Sequence, residues 1–249
     1  MLTDTHCHIH EPDYPEAEKA YASAVDAGVT RMVCVGTDNA TSRQAVTFAL
    51  SHDYVWSSIG VHPHEAKHGF AEVEELSRQL PKKLVAIGEI GLDYFYTHSS
   101  PAIQQSVLEA QLQLAVDASL PVIFHVREAF EDFWPILSNF SGLRGVLHSF
   151  TDSQGSLDRA LTEGLYIGLN GISTFTKDSG QQIMFDTVPL ERMLLETDAP
   201  FLTPPPHRGK VNEPAFVRHV AEYHAKRRGV ELESLARVTS ANASNLFSI

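Results

Sequence analysis

Eight apolar runs of strand length recur along the whole chain, separated by stretches with helical spacing. They are MLTDTHCH (1–8), TRMVCVG (30–36), YVWSSIGVH (54–62), KLVAIGEIGLD (83–93), PVIFHV (121–126), RGVLHSF (144–150), LYIGLNG (165–171) and RMLLETD (192–198). Several are apolar almost throughout and rich in Val, Ile and Leu, the pattern of strands covered on both faces in a parallel sheet. Between them, 101–118 opens with Ser100 as cap and Pro101 in the first turn, with Ile103, Val107, Ala110 and Leu114 as its stripe. Segment 214–228 sets Phe216, Val217, Val220 and Ala221 on one face, and Gly28, Gly164 and Gly229 stand where a left-handed residue closes a helix. Eight strand–helix repeats without a linker or composition break predict an α/β chain, a (β/α)8 TIM barrel. A single domain over 1–249 is expected, with a short extra helix in 231–249.

Composition narrows the function classes. Apolar residues at 43% and charged residues at 20% exclude disordered and fibrous chains. No apolar run nears the ~18 residues of a membrane span, and MLTDTHCHIH lacks the regions of a secretory signal. Cys7 and Cys34 make no disulfide framework and suit a reducing cytoplasm; Cys7 is expected to pack as a small hydrophobe. A net charge of −12 argues against a protein that coats DNA. The composition is unusual in its 13 histidines.

Most runs end in a metal-capable or polar side chain. The first ends in His6 and His8, the third in His62 and His64, and the fourth in Glu89. The next four end in His125, His148, Asn170 and Asp198. In a barrel these C-terminal strand edges meet at the rim that carries active sites. A lone strand histidine is more often a packed residue than a ligand. A carboxylate inside an apolar strand is harder to dismiss, because its burial costs several kcal/mol unless a cation is near. His6, His8, Asp198 and Glu89 can hold one ion, and Glu89, His125 and His148 a second, with Glu89 bridging. Such a pair would acidify a shared water, with Asp198 as both ligand and general base. Nitrogen-rich ligation favours Zn²⁺, Mn²⁺, Fe²⁺ or Ni²⁺, but Mg²⁺, Mn²⁺ and Zn²⁺ are not distinguished by sequence.

The chain resembles the TatD family of metal-dependent deoxyribonucleases, in the amidohydrolase-like superfamily. The segments that carry the resemblance are DTHCHIH (4–10), GVHPHEA (60–66), AIGEIGLDY (86–94), PVIFHVRE (121–128), GVLHSFTDS (145–153) and ETDAPFLTPPPHRGKVNEP (196–214), with SANASNLF (240–247) at the end. The resemblance spans the chain and implies a cytoplasmic hydrolase that cleaves phosphodiester bonds of DNA from the 3′ end. It implies two or three divalent cations, with His6, His8, Glu89, His125, His148 and Asp198 as ligands and Asp198 and Glu89 as catalytic residues. It also places His62 beside the site, for a further metal or the substrate phosphate. One departure is Ser149, where the family has cysteine.

On the substrate side, Arg127 and the loop PPPHRGKVN (204–212) offer Arg208, Lys210 and Asn212 as phosphate donors, with His62 and His64 as further candidates. Tyr94, Phe95 and Tyr96 could stack a terminal base or simply pack. The expected partners are DNA ends, held weakly and transiently, with no membrane and no obligate protein partner. The competing reading is a D-aminoacyl-tRNA deacylase or another C–O or C–N hydrolase on the same dinuclear site. Hydrolases bridged by a carboxylated lysine are disfavoured, since Glu89 takes the fourth-strand position. The intact ligand set also disfavours a non-catalytic binding protein.

Overall fold

A computed structural model of the chain describes residues 1–96 and 98–249. In chain order the strands are β1 (Leu2–Cys7), β2 (Val29–Val35), β3 (Val55–Ile59), β4 (Leu84–Asp93), β5 (Val122–Arg127), β6 (Gly145–Leu147), β7 (Tyr166–Leu169) and β8 (Met193–Leu195). Each overlaps one of the eight apolar runs, and helices alternate with them. The final helix, Leu232–Phe247, occupies the expected C-terminal segment. Gly28, Gly164 and Gly229 take φ of 83°, 77° and 63°, the left-handed conformation a side chain would oppose.

Two units make up the chain, Met1–Cys34 with Ser149–Ile249, and Val35–His148. In the first, β1 runs parallel to β2, and β7 runs parallel to β8. The other edge of β1 meets the chain leaving β8: Cys7 bridges Ala199, and the His8 N–H donates to the Ala199 carbonyl at 2.7 Å. The first strand therefore lies beside the last, which an open sheet in chain order would not allow. Cys7 and Cys34 are buried there as free thiols with sulfurs 4.0 Å apart. In the second unit, β3, β4, β5 and β6 pair in chain order, all parallel.

Helix Pro101–Ala118 corrects the stripe expected from spacing. It buries Gln104, Leu108, Gln111, Leu112 and Ala115, while Ile103 is 41% exposed. The reason lies in the two buried ones of its four glutamines, which bind backbone instead of water. Gln111 accepts from the Val61 N–H (2.7 Å) and donates to the Val61 carbonyl (3.1 Å). Gln104 does the same for Asp93, at 2.8 and 2.9 Å. Each satisfies two backbone groups that burial would otherwise leave unpaired. Ser100 takes the cap position, but its hydroxyl makes no capping bond.

Helix Val217–Arg228 buries Val217, Val220 and Ala221 as expected, and with them His224, while Phe216 is only half-buried in the turn before it. The ring of His224 contacts Ser173 Oγ at 2.8 Å, and burial pushes its pKa down to about 3. An unfolded histidine titrates near 6.5, so only the unfolded chain gains a proton between the two values. Stability present above pH 6.5 is therefore lost as pH falls toward 3. From pH 7.5 to 5 this group alone should cost about 2 kcal/mol. In urea unfolding at both pH values, His224→Gln should lose correspondingly less than the wild type; equal losses would refute the assignment.

Candidate metal centre

In the first unit, β1 ends in a histidine pair. His6 and His8 are two residues apart, so their rings leave one side of the chain, and their Nε2 atoms lie 3.1 Å apart. Asp198 Oδ1 faces both, 3.7 Å from His6 Nε2 and 3.4 Å from His8 Nε2. Asp198 follows β8 in a left-handed conformation, φ 59°, which aspartate tolerates better than most residues. Its N–H donates to the His6 carbonyl at 2.9 Å, coupling the acid directly to the strand that bears the imidazoles.

A buried network braces that turn. Asp4 Oδ1 accepts from the Thr197 N–H at 2.8 Å, and Thr197 Oγ1 donates to Asp4 Oδ2 at 2.6 Å. Burial raises the Asp4 carboxyl to about 8 against these bonds, so it is largely protonated near neutrality. Asn212 holds the other side, donating to the carbonyls of Thr197 (2.8 Å) and Phe201 (2.6 Å). This corrects the expectation for Asn212. It is fully buried and both amide hydrogens serve the backbone, so it has no donor left for a phosphate.

In the second unit the site grows from the period of β4. Residues 89, 91 and 93 share one side of the strand. Gly91 stands opposite His125 on β5, and any side chain there would run into the His125 carbonyl. His125 therefore sits between two carboxylates, with Nδ1 2.9 Å from Glu89 Oε1 and Nε2 2.9 Å from Asp93 Oδ2. Two further imidazoles reach the same Glu89 oxygen, His62 Nε2 at 3.7 Å and His148 Nε2 at 3.8 Å. Glu89 is 4% exposed.

Burial drives the His62 pKa well below the usual histidine value, and the neighbouring His125 adds to the effect. His62 is thus neutral, the form that can offer a lone pair to a metal. For His125 burial acts the same way, but hydrogen bonds to Asp93 and Glu89 outweigh it and raise the pKa. Burial also opposes charge on Asp93, yet bonds from His125 and the Tyr96 N–H hold its carboxyl below the ordinary range.

Asp93 was not among the residues the sequence singled out. It stands at the end of β4, fully buried. Its signal was present in EIGLD, where a second acid follows Glu89 at an even strand interval. The groups that could hold a metal include His6, His8 and Asp198; His62, Glu89 and His125; and His62, His64 and Asp93. Mixed nitrogen and oxygen donors of this kind, buried or half-buried, suit a divalent transition ion.

The remaining candidates divide. Arg127 stacks over Phe95 at 3.8 Å, and Phe95 and Tyr96 are exposed. Tyr94 separates from that pair, since its hydroxyl donates to Asp132 and accepts from Gln105, both at 2.8 Å. Arg208 stacks over Phe175 at 3.7 Å and donates to the Thr203 carbonyl, while Lys210 is exposed. Ser149, at the position where a cysteine was expected, accepts from the Asn170 amide at 2.8 Å. Asn170 also accepts from the Ile172 N–H, so it serves the turn after β7.

The profile of the family described as TatD related DNase matches residues 3–248. The metal-dependent hydrolase YabD of Bacillus subtilis is 37% identical over the full length of both chains. The 3'-5' ssDNA/RNA exonuclease TatD of Erwinia tasmaniensis is 40% identical over 94% of each. The crystal structure of YjjV, a TatD homologue from Escherichia coli, superposes with a TM-score of 0.93 at 27% identity, covering 100% of this chain and 98% of that one. With the eight strand–helix repeats, that likeness makes the fold a (β/α)8 barrel of the TIM class. Matched from end to end in sequence and in fold, this chain belongs to the TatD-related DNase family of hydrolases.

Proposed function

We propose that the enzyme is a metal-dependent deoxyribonuclease that removes nucleotides from the 3′ ends of single-stranded DNA. One observation carries the reading: a buried glutamate, Glu89, has ring nitrogens of His62, His125 and His148 within 3.8 Å of one oxygen. Imidazoles around a carboxylate are a donor set for a cation. The ligands of this reading are His6, His8 and Asp198 in one unit and Glu89, His125 and His148 in the other. Residues 1–249 act as one hydrolase domain. The exonuclease name of the Erwinia relative supports DNA ends as substrate.

Divalent cations bound there would acidify water and offset phosphate charge. Asp198 would take a proton from the water that attacks phosphorus; as the new P–O bond forms, the P–O ester bond joining the terminal nucleotide to the chain breaks, and the leaving oxygen takes a proton from solvent. Arg127, Arg208 and Lys210 would meet substrate phosphates. Both guanidiniums are presented on aromatic rings, which holds their planes without consuming all their donors. The exposed Phe95 and Tyr96 would stack a terminal base. With a net charge of −12, affinity for DNA would be weak and transient. The two free thiols fit a cytoplasmic enzyme. Among the described residues, no helix is long and apolar enough to cross a membrane.

The test offers 5′-labelled single-stranded DNA and D-aminoacyl-tRNA in parallel, each with Mn²⁺, Mg²⁺ or Zn²⁺. A ladder of products shortening one nucleotide at a time from the 3′ end is expected. Intact DNA beside a deacylated tRNA would replace this reading with that of a carboxylic-ester hydrolase.

A further inference from the structure

We propose that the loop after β8 carries a base-stacking site, in which the ring of Phe201 takes a nucleobase of a single strand while Arg208 and Lys210 meet its phosphates. The inference rests on the reading of the chain as a deoxyribonuclease and assigns it a specificity-determining residue in the unit that holds Asp198.

Position and exposure carry it. Phe201 is 58% exposed, more than any other described Phe, Tyr or Trp. It closely follows Asp198, and its N–H donates to the Asp198 carbonyl at 2.7 Å. Val211, also exposed, adjoins Asn212. The Asn212 N–H donates to the Pro200 carbonyl at 3.0 Å, and its side chain donates to the Phe201 carbonyl at 2.6 Å. Two apolar side chains therefore stand in solvent at the neck of the loop, next to the proposed general base.

The backbone beneath the ring is fixed. Thr203 Oγ1 donates to the Lys210 carbonyl at 2.6 Å, and Arg208 donates to the Thr203 carbonyl at 2.7 Å, closing residues 203–210 on themselves. Any side chain at Gly171 would run into the Leu202 carbonyl, so the loop lies directly on the turn after β7. Backbone held this closely, with its largest apolar side chain left in water, presents the ring rather than buries it. Stacking on a platform already in place costs the protein little ordering entropy.

Charge selects the occupant. Arg208 lies over Phe175 at 3.7 Å, and both Arg208 and Lys210 are exposed, so one closed loop offers two cations with an apolar ring. Cations that follow a phosphate backbone and an aromatic platform for the bases are what single-stranded nucleic acid needs, and any base will serve, since each has a π-face. A duplex keeps its base faces stacked on one another, so the site favours unpaired DNA.

The test reads KM and kcat on two single-stranded oligodeoxynucleotides, one with ordinary bases and one whose last nucleotides at the 3′ end carry none. Phe201→Ala should raise KM on the first about tenfold, as for the loss of one stacked base, with kcat within about twofold of the wild type. On the baseless end the two proteins should have the same KM, because nothing is there to stack. Phe201→Trp should return KM on ordinary DNA to the wild-type value or below, a rescue that a merely structural phenylalanine would not show. Equal KM for wild type and Phe201→Ala on ordinary DNA, an equal rise on both substrates, a Phe201→Trp protein no better than Phe201→Ala, or a Phe201→Ala chain that no longer folds would overturn this inference alone. A wild-type chain that leaves both oligonucleotides intact would overturn the deoxyribonuclease reading together with it.

Discussion

Asp198→Asn is expected to lower kcat on single-stranded DNA by about 10³-fold or more, within the range seen when a general base is lost. The substitution is nearly isosteric and asparagine also tolerates φ 59°, so the turn after β8 should survive. The bonds that fix this turn, Asp198 N–H to His6 and Asn212 to Thr197 and Phe201, do not involve the Asp198 carboxylate. What the variant loses is the negative oxygen 3.4 Å from His8 and 3.7 Å from His6, and with it the proton acceptor. The melting temperature should change little, and KM should change far less than kcat. A variant with wild-type turnover would remove Asp198 from the chemistry, and one that no longer folds would make it a structural acid.

Metal removal should have the other large effect. Excess chelator is expected to bring hydrolysis to background, and added Mn²⁺ or Zn²⁺ to restore it. In both units the candidate centre consists of buried and half-buried imidazoles and carboxylates, with few ways to hold a phosphate unless a cation mediates. Loading should also raise thermal stability, since an ion that binds only the folded chain stabilises it by about 2.7 kcal/mol at a hundred times its Kd. Undiminished hydrolysis in chelator would sink the metal-dependent mechanism. Restored stability without restored hydrolysis would instead assign the ions to folding.

Local pattern alone exposed the eight strands, because continuous apolar runs of four to eight residues between helical segments have few other solutions. His6, His8, His62, Glu89, His125, His148 and Asp198 were legible for a related reason. Each interrupts or ends an apolar run with a group that burial makes costly. Helix 101–118 was misread by the same logic. Ile103 and Val107 match a helical stripe, but the buried face carries Gln104 and Gln111. Their burial depends on the backbone groups of Asp93 and Val61, which lie 11 and 50 residues away in the chain. Asn212 looked like a phosphate donor in a basic loop, and its amide is spent on carbonyls of the Asp198 turn.

The succession of elements, the family and the imidazole and carboxylate residues at strand ends follow from residue type and spacing, since both are local properties of the chain. Partnership among those residues is not local. Gly91 leaves room for His125 only because β4 and β5 pair in a register that sets the two face to face. That register places Asp93 against the far nitrogen of His125. A one-residue slip would have turned every one of these side chains to the opposite face, leaving the same sequence with a different site.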